Sequence, residues 1–379
     1  MTILSENMQS ALALARGNRG RAKGDDARSH ILLRPSDTGL LSVLCADGTT
    51  QTEVVFQGSI DQPVAVAPQL FELVQTLKAG VNIKLTPTDS ATCKVQTGKS
   101  RFTLPTRPAA DFPLLESEGT ETAKFSIKAH SLAKALESAS RGMGKPVPAK
   151  PFTGGVLLKC TDKGVYLVGT SGFTLVNVGV GAQVQPGTKT QSGVIPEMGI
   201  SQIQRLASTA AADQRIEFEL GDRQVTAKLG GATVRSRLIS CKFPDYEQVT
   251  AVQDPFSLEL SRSSLLEVLK RVGLFVQESS PFVSIKVEKA ETGEWKLVCS
   301  VKTPQGECVE SIDLVPGKIK LRSDGLPSAE AHLNITYLAS ILDAMPDDSV
   351  IADFSKNTLR VRGASQTLNV VGIAAYYRA

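Results

Sequence analysis

The stretch Val156-Leu-Leu-Lys-Cys-Thr-Asp-Lys-Gly-Val-Tyr-Leu-Val168 decides the fold. Two apolar runs flank a polar turn at Asp162–Gly164, and its glycine supplies the backbone freedom that a tight hairpin demands. The same grammar occurs twice more. Ile31–Leu33 and Leu40–Leu44 flank a turn at Ser36–Gly39, while Val283–Val287 and Trp295–Val298 flank one at Glu291–Gly293. Gly39, Gly164 and Gly293 stand 125 and 129 residues apart. A second hairpin follows later in each third: Val81–Leu85 with Thr92–Val95, Ile216–Leu220 with Val225–Leu229, and Val350–Phe354 with Thr358–Val361. Phe218, between Glu217 and Glu219, shows the in–out alternation of a half-buried strand.

Working outward, each hairpin has a helical neighbour. Predicted helices begin near Ser5, Pro68, His130, Pro196, Ser261 and Asn334, a beat of about 65 residues. Leu70, Leu73, Val74 and Leu77 line one face of the second, and Leu338, Ile341 and Leu342 one face of the sixth. Pro68 and Pro196 stand in first-turn positions, where proline is tolerated. A period this long means one supersecondary unit used repeatedly. The pattern predicts an α+β chain of three tandem domains, 1–122, 123–250 and 251–379, each with two helices packed on antiparallel sheets. The boundaries are expected at Glu121–Ala123 and Thr250–Gln253, just before the alternating strands Phe125–Ile127 and Phe256–Leu260.

Hydrophobic residues make up 41% of the 379 and charged residues 21%, enough apolar material for real cores and too much for a disordered chain. The net charge of +4 is uneven. Residues 1–122 carry 12 basic against 13 acidic side chains, 123–250 carry 16 against 9, and 251–379 carry 14 against 16. On charge alone, the basic middle reads equally as a solvated loop surface or a nucleic-acid footprint. Cys45, Cys93, Cys160, Cys241, Cys299 and Cys308 are scattered, without a C-x-x-C pair or a histidine cluster, and read as reduced thiols rather than disulfides or a zinc site. Glu6 stands where a signal peptide needs an apolar core, and no stretch approaches 18 apolar residues, so a soluble cytoplasmic protein with no membrane contact is expected. Catalytic patterns are equally absent. Gly98-Lys99-Ser100 lacks the upstream glycine of a phosphate loop, since Cys93 stands there. His30, His130 and His332 are far apart, and Asp25-Asp26 and Asp347-Asp348 read as solvated turns. No enzyme, metal or cofactor is expected.

Four segments carry a resemblance. They are Ser100-Arg-Phe-Thr-Leu-Pro-Thr-Arg-Pro-Ala-Ala-Asp-Phe-Pro113, Ser236-Arg-Leu-Ile-Ser-Cys-Lys-Phe-Pro-Asp-Tyr246, Thr170-Ser-Gly-Phe-Thr-Leu175 and Leu333-Asn-Ile-Thr-Tyr337. In register with the repeat, they resemble the bacterial DNA sliding clamp family, the beta subunit of DNA polymerase III, over all three domains. The resemblance implies a head-to-tail homodimer forming a ring with twelve helices around duplex DNA, held by topology without base readout. It also implies a peptide groove that serves the replicative DNA polymerase and the clamp loader. The rival reading is a clamp-like partner-binding or decoy protein that does not encircle DNA.

Carried over residue by residue, the resemblance implies three sets of functional side chains. DNA would meet Arg16, Arg19, Arg21 and Lys23 after the first helix, Lys134, Arg141, Lys145 and Lys150 on or after the third, and Arg205 on the fourth. The peptide groove would comprise Thr153, Thr170, Gly172, Phe173, Leu175, Pro244, Val249, Asn334, Tyr337, Val370 and Val371. Taken singly, Leu175, Val249 and Val370 read as core residues; only the set reads as a groove. The dimer interface would pair the edge strand Lys99–Leu104 with the neighbour's third domain, Phe102 and Leu104 meeting Leu274 and Phe275, and Lys99 and Arg101 facing Glu307 and Glu310. Three departures stand out: Phe173-Thr174 replaces the family's His-Arg, Glu197 replaces a usual basic residue, and the C-terminus reads Gly372-Ile-Ala-Ala-Tyr-Tyr-Arg-Ala379. Phe173, Tyr376 and Tyr377 are therefore expected to make the groove more aromatic and to change its peptide preference.

Overall fold

The computed structural model describes residues 3–18, 27–36, 39–88, 91–116, 123–211, 213–251, 256–289, 291, 293–304, 306–320, 331–355, 357–364 and 368–377. Its α-helices are α1 (Ser5–Ala15), α2 (Gln69–Gln75), α3 (Ala129–Ser140), α4 (Glu197–Ser208), α5 (Glu247–Thr250), α6 (Arg262–Val272) and α7 (Ile335–Asp343). Six of these are the six predicted beats. The single-turn α5 is an addition: Asp245 accepts the Glu247 N–H at 3.2 Å and the Gln248 amide at 2.8 Å, local chemistry too short to leave a periodic signature. All six expected strand pairs are present, five with registers such as Leu33 opposite Val43, Leu85 opposite Val95, Phe218 opposite Ala227, Val287 opposite Leu297 and Ala352 opposite Val361. In the sixth, Gly155–Thr161 neighbours Gly164–Thr170. Gly39, Gly164 and Gly293 all take positive φ, the conformation their turns require.

The chain forms two compact units. The first comprises 1–133, 160–162 and 182–240; the second comprises 134–159, 163–181 and 241–379. The expected boundary residues Glu121, Thr122 and Gln253 lie outside the described residues.

The first unit is built on a thirteen-stranded sheet that runs from Ile3–Leu4 at one edge to Ala182–Val184 at the other. Ile3, Met8, Leu12, Ile31, Leu33, Leu70, Val74 and Ile83 share one core cluster beneath α1 and α2. Burying such side chains contributes on the order of 2 kcal/mol each. Gln9 ties the two helices together by donating to the carbonyls of Val74 at 3.0 Å and Leu77 at 2.8 Å. Phe218 stacks on Phe125 with ring centroids 5.1 Å apart, which explains its inward turn between two glutamates.

The second unit holds a sheet ordered Gly155–Thr161, Gly164–Thr170, Thr174–Val180, Asn369–Ala375, Thr358–Gly363, Ser349–Phe354, Phe256–Ser261 and Ile319–Lys320. A four-stranded sheet is ordered Gly306–Leu314, Trp295–Thr303, Phe282–Lys289 and Ala331–Asn334. Helices α6 and α7 pack together in this unit, burying Leu265, Val268, Leu269 and Val272 from one and Leu338, Ile341 and Leu342 from the other. Both begin with side-chain caps. Ser261 accepts the Ser264 N–H, and Asn334 accepts the N–H groups of Thr336 and Tyr337. No helix among the described residues is long and apolar enough to cross a membrane.

Candidate functional site

All eleven groove candidates fall in the second unit. Thr174–Val180 pairs with Asn369–Ala375 across nearly two hundred residues of sequence, setting Leu175 opposite Ile373 and Val178 opposite Val370. Helix α7 packs on both strands and carries Tyr337 in its first turn. The Tyr337 ring lies almost parallel to that of Phe173, with centroids 5.9 Å apart and planes 12° apart. Phe173 is 57% exposed, so this stacked pair presents an apolar face to solvent. Lys150 Nζ stands 5.5 Å from the Phe173 centroid, within cation–π range. Gly172 makes the turn possible: its φ is +89°, and an added Cβ would lie 3.3 Å from Lys150 Nζ.

A second aromatic cluster lies in the same unit. Phe152 meets Phe243 edge-on at 5.7 Å, and Phe243 meets Tyr246 at 6.1 Å. Lys159 Nζ sits 5.6 Å from the Tyr246 ring and 2.6 Å from Glu247, and that carboxylate holds the ammonium pKa above its usual value. Pro244 stands within the Phe243–Tyr246 segment, and Val249 is largely exposed one turn later. The motif containing Phe243 and Tyr246 was legible as a linker; its aromatic contacts were not, because Phe152 and Lys159 are distant in sequence.

The remaining candidates have structural duties. Leu175 and Val370 are buried and belong to the core, while Val371 is half-buried. The buried Thr153 hydroxyl bonds the carbonyls of Lys145 and Lys150, both at 2.9 Å. The Thr170 hydroxyl donates to the Thr174 carbonyl at 2.6 Å and accepts the Gly172 N–H at 3.1 Å. Asn334 spends its side-chain oxygen on the α7 cap. Tyr376 and Tyr377 take partners other than Phe173. Tyr377 stacks on Phe282 at 3.9 Å, and burial raises the Tyr376 phenol pKa. The tail is nevertheless fastened at Phe173, whose carbonyl accepts the Ala375 N–H at 2.9 Å.

Among the cation candidates, Arg19, Arg21 and Lys23 lie outside the described residues. Arg16 covers the Phe71 ring at 4.5 Å, and Arg205 Nη1 donates to the Ala13 carbonyl at 3.2 Å. Both therefore gather at the C-terminal end of α1, where a helix favours positive charge. In the second unit Arg141 pairs with Glu137 at 3.9 Å along α3, which also carries Lys134. The Gly142–Lys150 loop is fixed by the Thr153 bonds and by the Thr174 hydroxyl donating to the Gly142 carbonyl at 3.1 Å. Lys150 is thus turned toward Phe173.

Each unit also has an open strand edge. Ser100–Arg107 pairs on one side with Thr92–Thr97, whereas on the other only Thr106 and Arg107 meet Val66 and Ala65. Ser100–Leu104 therefore leaves one edge unpaired among the described residues. Phe102 is 38% exposed, and Leu104 packs partly against the core. In the second unit Gly306–Leu314 is the outermost strand of its sheet. On it Val309 is 59% exposed and beside it Leu274 82%, and a Cβ added at Gly306 would lie 3.4 Å from the Phe275 ring. Arg271 grips Glu310 through bonds of 2.6 and 2.7 Å, and Lys302 lies 3.7 Å from Glu307, so both glutamates already have cations within the chain.

The family model for the DNA polymerase III beta subunit, central domain, matches residues 126–245. A beta sliding clamp of Pseudomonas putida is 26% identical over 308 residues, covering 79% of this chain and 78% of that one. The beta sliding clamp of Escherichia coli K12 is 22% identical over 356 residues, covering 92% and 91%. The crystal structure of the DNA polymerase III subunit beta from Pseudomonas aeruginosa superposes with a TM-score of 0.87 at 24% identity, covering 100% of both chains. A sliding clamp from Bacillus subtilis gives 0.86 at 16%, covering 100% of this chain and 98% of that one. With this match in its central third and named clamps aligned along most of its length, the chain is similar to the bacterial DNA polymerase III beta subunits and shares their fold.

Proposed function

We propose that this protein is a DNA sliding clamp, a cytoplasmic, non-catalytic processivity subunit. Two copies of the chain, each of three domains ending near residues 122 and 250, join head to tail around duplex DNA. The groove around Phe173 and Tyr337 then takes short peptides from the replicative polymerase and the clamp loader. The relatives' names support the reading, and the two strand edges carry it. One edge, Ser100–Leu104, lies in the first unit and the other, Gly306–Leu314, in the second. An exposed apolar edge is an aggregation hazard unless something pairs with it. Two different edges on one chain make a heterologous contact, and such a contact yields a closed ring when its rotation closes. Phe102, Leu274 and Val309 supply exposed apolar surface beside these edges.

The test is the mass of the full-length protein in sedimentation. The wild type is expected to run as a dimer and the double variant Leu274→Glu/Phe275→Glu as a folded monomer, because two carboxylates would be buried without partners. A dimer that survives both substitutions refutes the assigned interface.

A further inference from the structure

The outward face of the second unit's sheet carries a cationic trough that the clamp reading leaves unused. Phe256, Leu258 and Leu260 alternate inward, so Ser257 and Glu259 turn to the opposite face. The register aligns Lys320, Ser257, Asp353 and Arg360 in one row across four strands, and Glu259, Ile351 and Arg362 in the next. These residues, with Lys318, line a cavity of about 410 Å³. Lys318 and Lys320 form one rail, Arg360 and Arg362 the other. Three strand spacings separate Lys320 from Arg360, roughly 14 Å.

The carboxylates on the floor are already engaged. Asp353 is fully buried; its Oδ2 receives Arg360 Nε at 2.8 Å, Arg360 Nη2 at 2.7 Å and Arg362 Nε at 3.1 Å, and its Oδ1 receives the Ser257 hydroxyl at 2.6 Å. Glu259 Oε1 takes Lys318 at 2.7 Å and the Ser349 hydroxyl at 2.6 Å. Among the described residues, four cations against two carboxylates leave an excess of two positive charges. That excess rests on Arg362, which is partly exposed beyond its Nε bond, and on exposed Lys320, which has no ion-pair partner among the described residues.

We propose that this trough binds an acidic peptide segment of a partner protein, its carboxylates bridging Lys320 and Arg362. Guanidinium forks match carboxylates in geometry, and rails this far apart suit several carboxylates along a chain rather than one small anion. Among the described residues no aromatic ring lines the cavity, so it offers no stacking platform for nucleic-acid bases. Arg360 Nη1 also donates to the Thr250 carbonyl at 3.0 Å, placing the trough beside the segment that carries Val249.

Fluorescence anisotropy with labelled hexaglutamate and hexaserine, on full-length wild type and on Lys320→Glu and Arg362→Gln variants, tests this. Hexaglutamate is expected to bind at least about tenfold more tightly than hexaserine, and less tightly as salt rises. Lys320→Glu should abolish that preference while leaving the melting temperature unchanged, since Lys320 is exposed and makes no ion pair among the described residues; Arg362→Gln should weaken it. Equal binding of the two peptides overturns the proposal, as does hexaglutamate binding that ignores both substitutions. Hexathymidylate displacing hexaglutamate more strongly than unlabelled hexaglutamate does would also overturn it, assigning the trough to nucleic acid.

Discussion

At the scale of the residue, Phe173 departs most sharply from the pattern of the sliding clamps that the chain resembles. It stands where the family has histidine, and the structure stacks it on Tyr337 beneath Lys150. Phe173→Ala is expected to weaken a clamp-binding peptide about tenfold or more while hardly moving the melting temperature, because over half of the ring is exposed. Calorimetry beside a thermal melt checks both halves; unchanged affinity refutes the assignment. Asn334 sits one turn away with a different duty. Asn334→Ala should cost about 1 kcal/mol in denaturant unfolding through the lost α7 cap. The sequence offered Asn334, Thr153 and Leu175 as groove members alongside Phe173. The Leu175 burial depends on a strand nearly two hundred residues away, and the Asn334 cap and Thr153 bonds on local backbone geometry, so residue types alone could not separate scaffold from surface.

At the scale of the element, hairpins and long helices were legible because their signals are local: alternation, a turn glycine, a 3.6-residue stripe. The fastening of the Gly142–Lys150 loop to the Thr170–Thr174 turn was not, since it rests on a hydroxyl-to-carbonyl bond spanning 32 residues. That packing leaves no room for a methyl group at Gly169, where an added Cβ would collide with the Ala139 carbonyl. Gly169→Ala is expected to cost roughly 1–3 kcal/mol in equilibrium unfolding. The N-terminus of α6 predicts a pH effect. The Ser263 N–H, then the hydroxyls of Ser263 and Ser261, hold the Asp348 carboxyl below its usual pKa of 3.8. A depressed folded pKa gives stability that is present above the unfolded value and lost as pH falls through the folded one. Asp348→Asn should therefore lower stability at neutral pH, with the deficit shrinking only below about pH 4. A deficit that shrinks between pH 7 and 5 instead would contradict the assignment.

At the scale of the whole molecule, the recurring hairpins and helices were legible, and four motifs in register with them carried the resemblance before any coordinates. The division into two compact units was not, because it depends on which segments of the central third pack with which neighbours. The open edges at Ser100–Leu104 and Gly306–Leu314 were half legible: the first is a strand near the end of the expected first domain, whereas the second shows itself only in the strand order. The account stands on the claim that these edges close a ring around DNA. Retention of the protein on nicked circular DNA, before and after the circle is linearised, measures that claim directly. The account predicts that protein loaded by its clamp loader stays on the circle through a sizing column and is lost once the DNA has ends. Retention unchanged by linearisation would contradict it, leaving a clamp-shaped binder that does not encircle DNA.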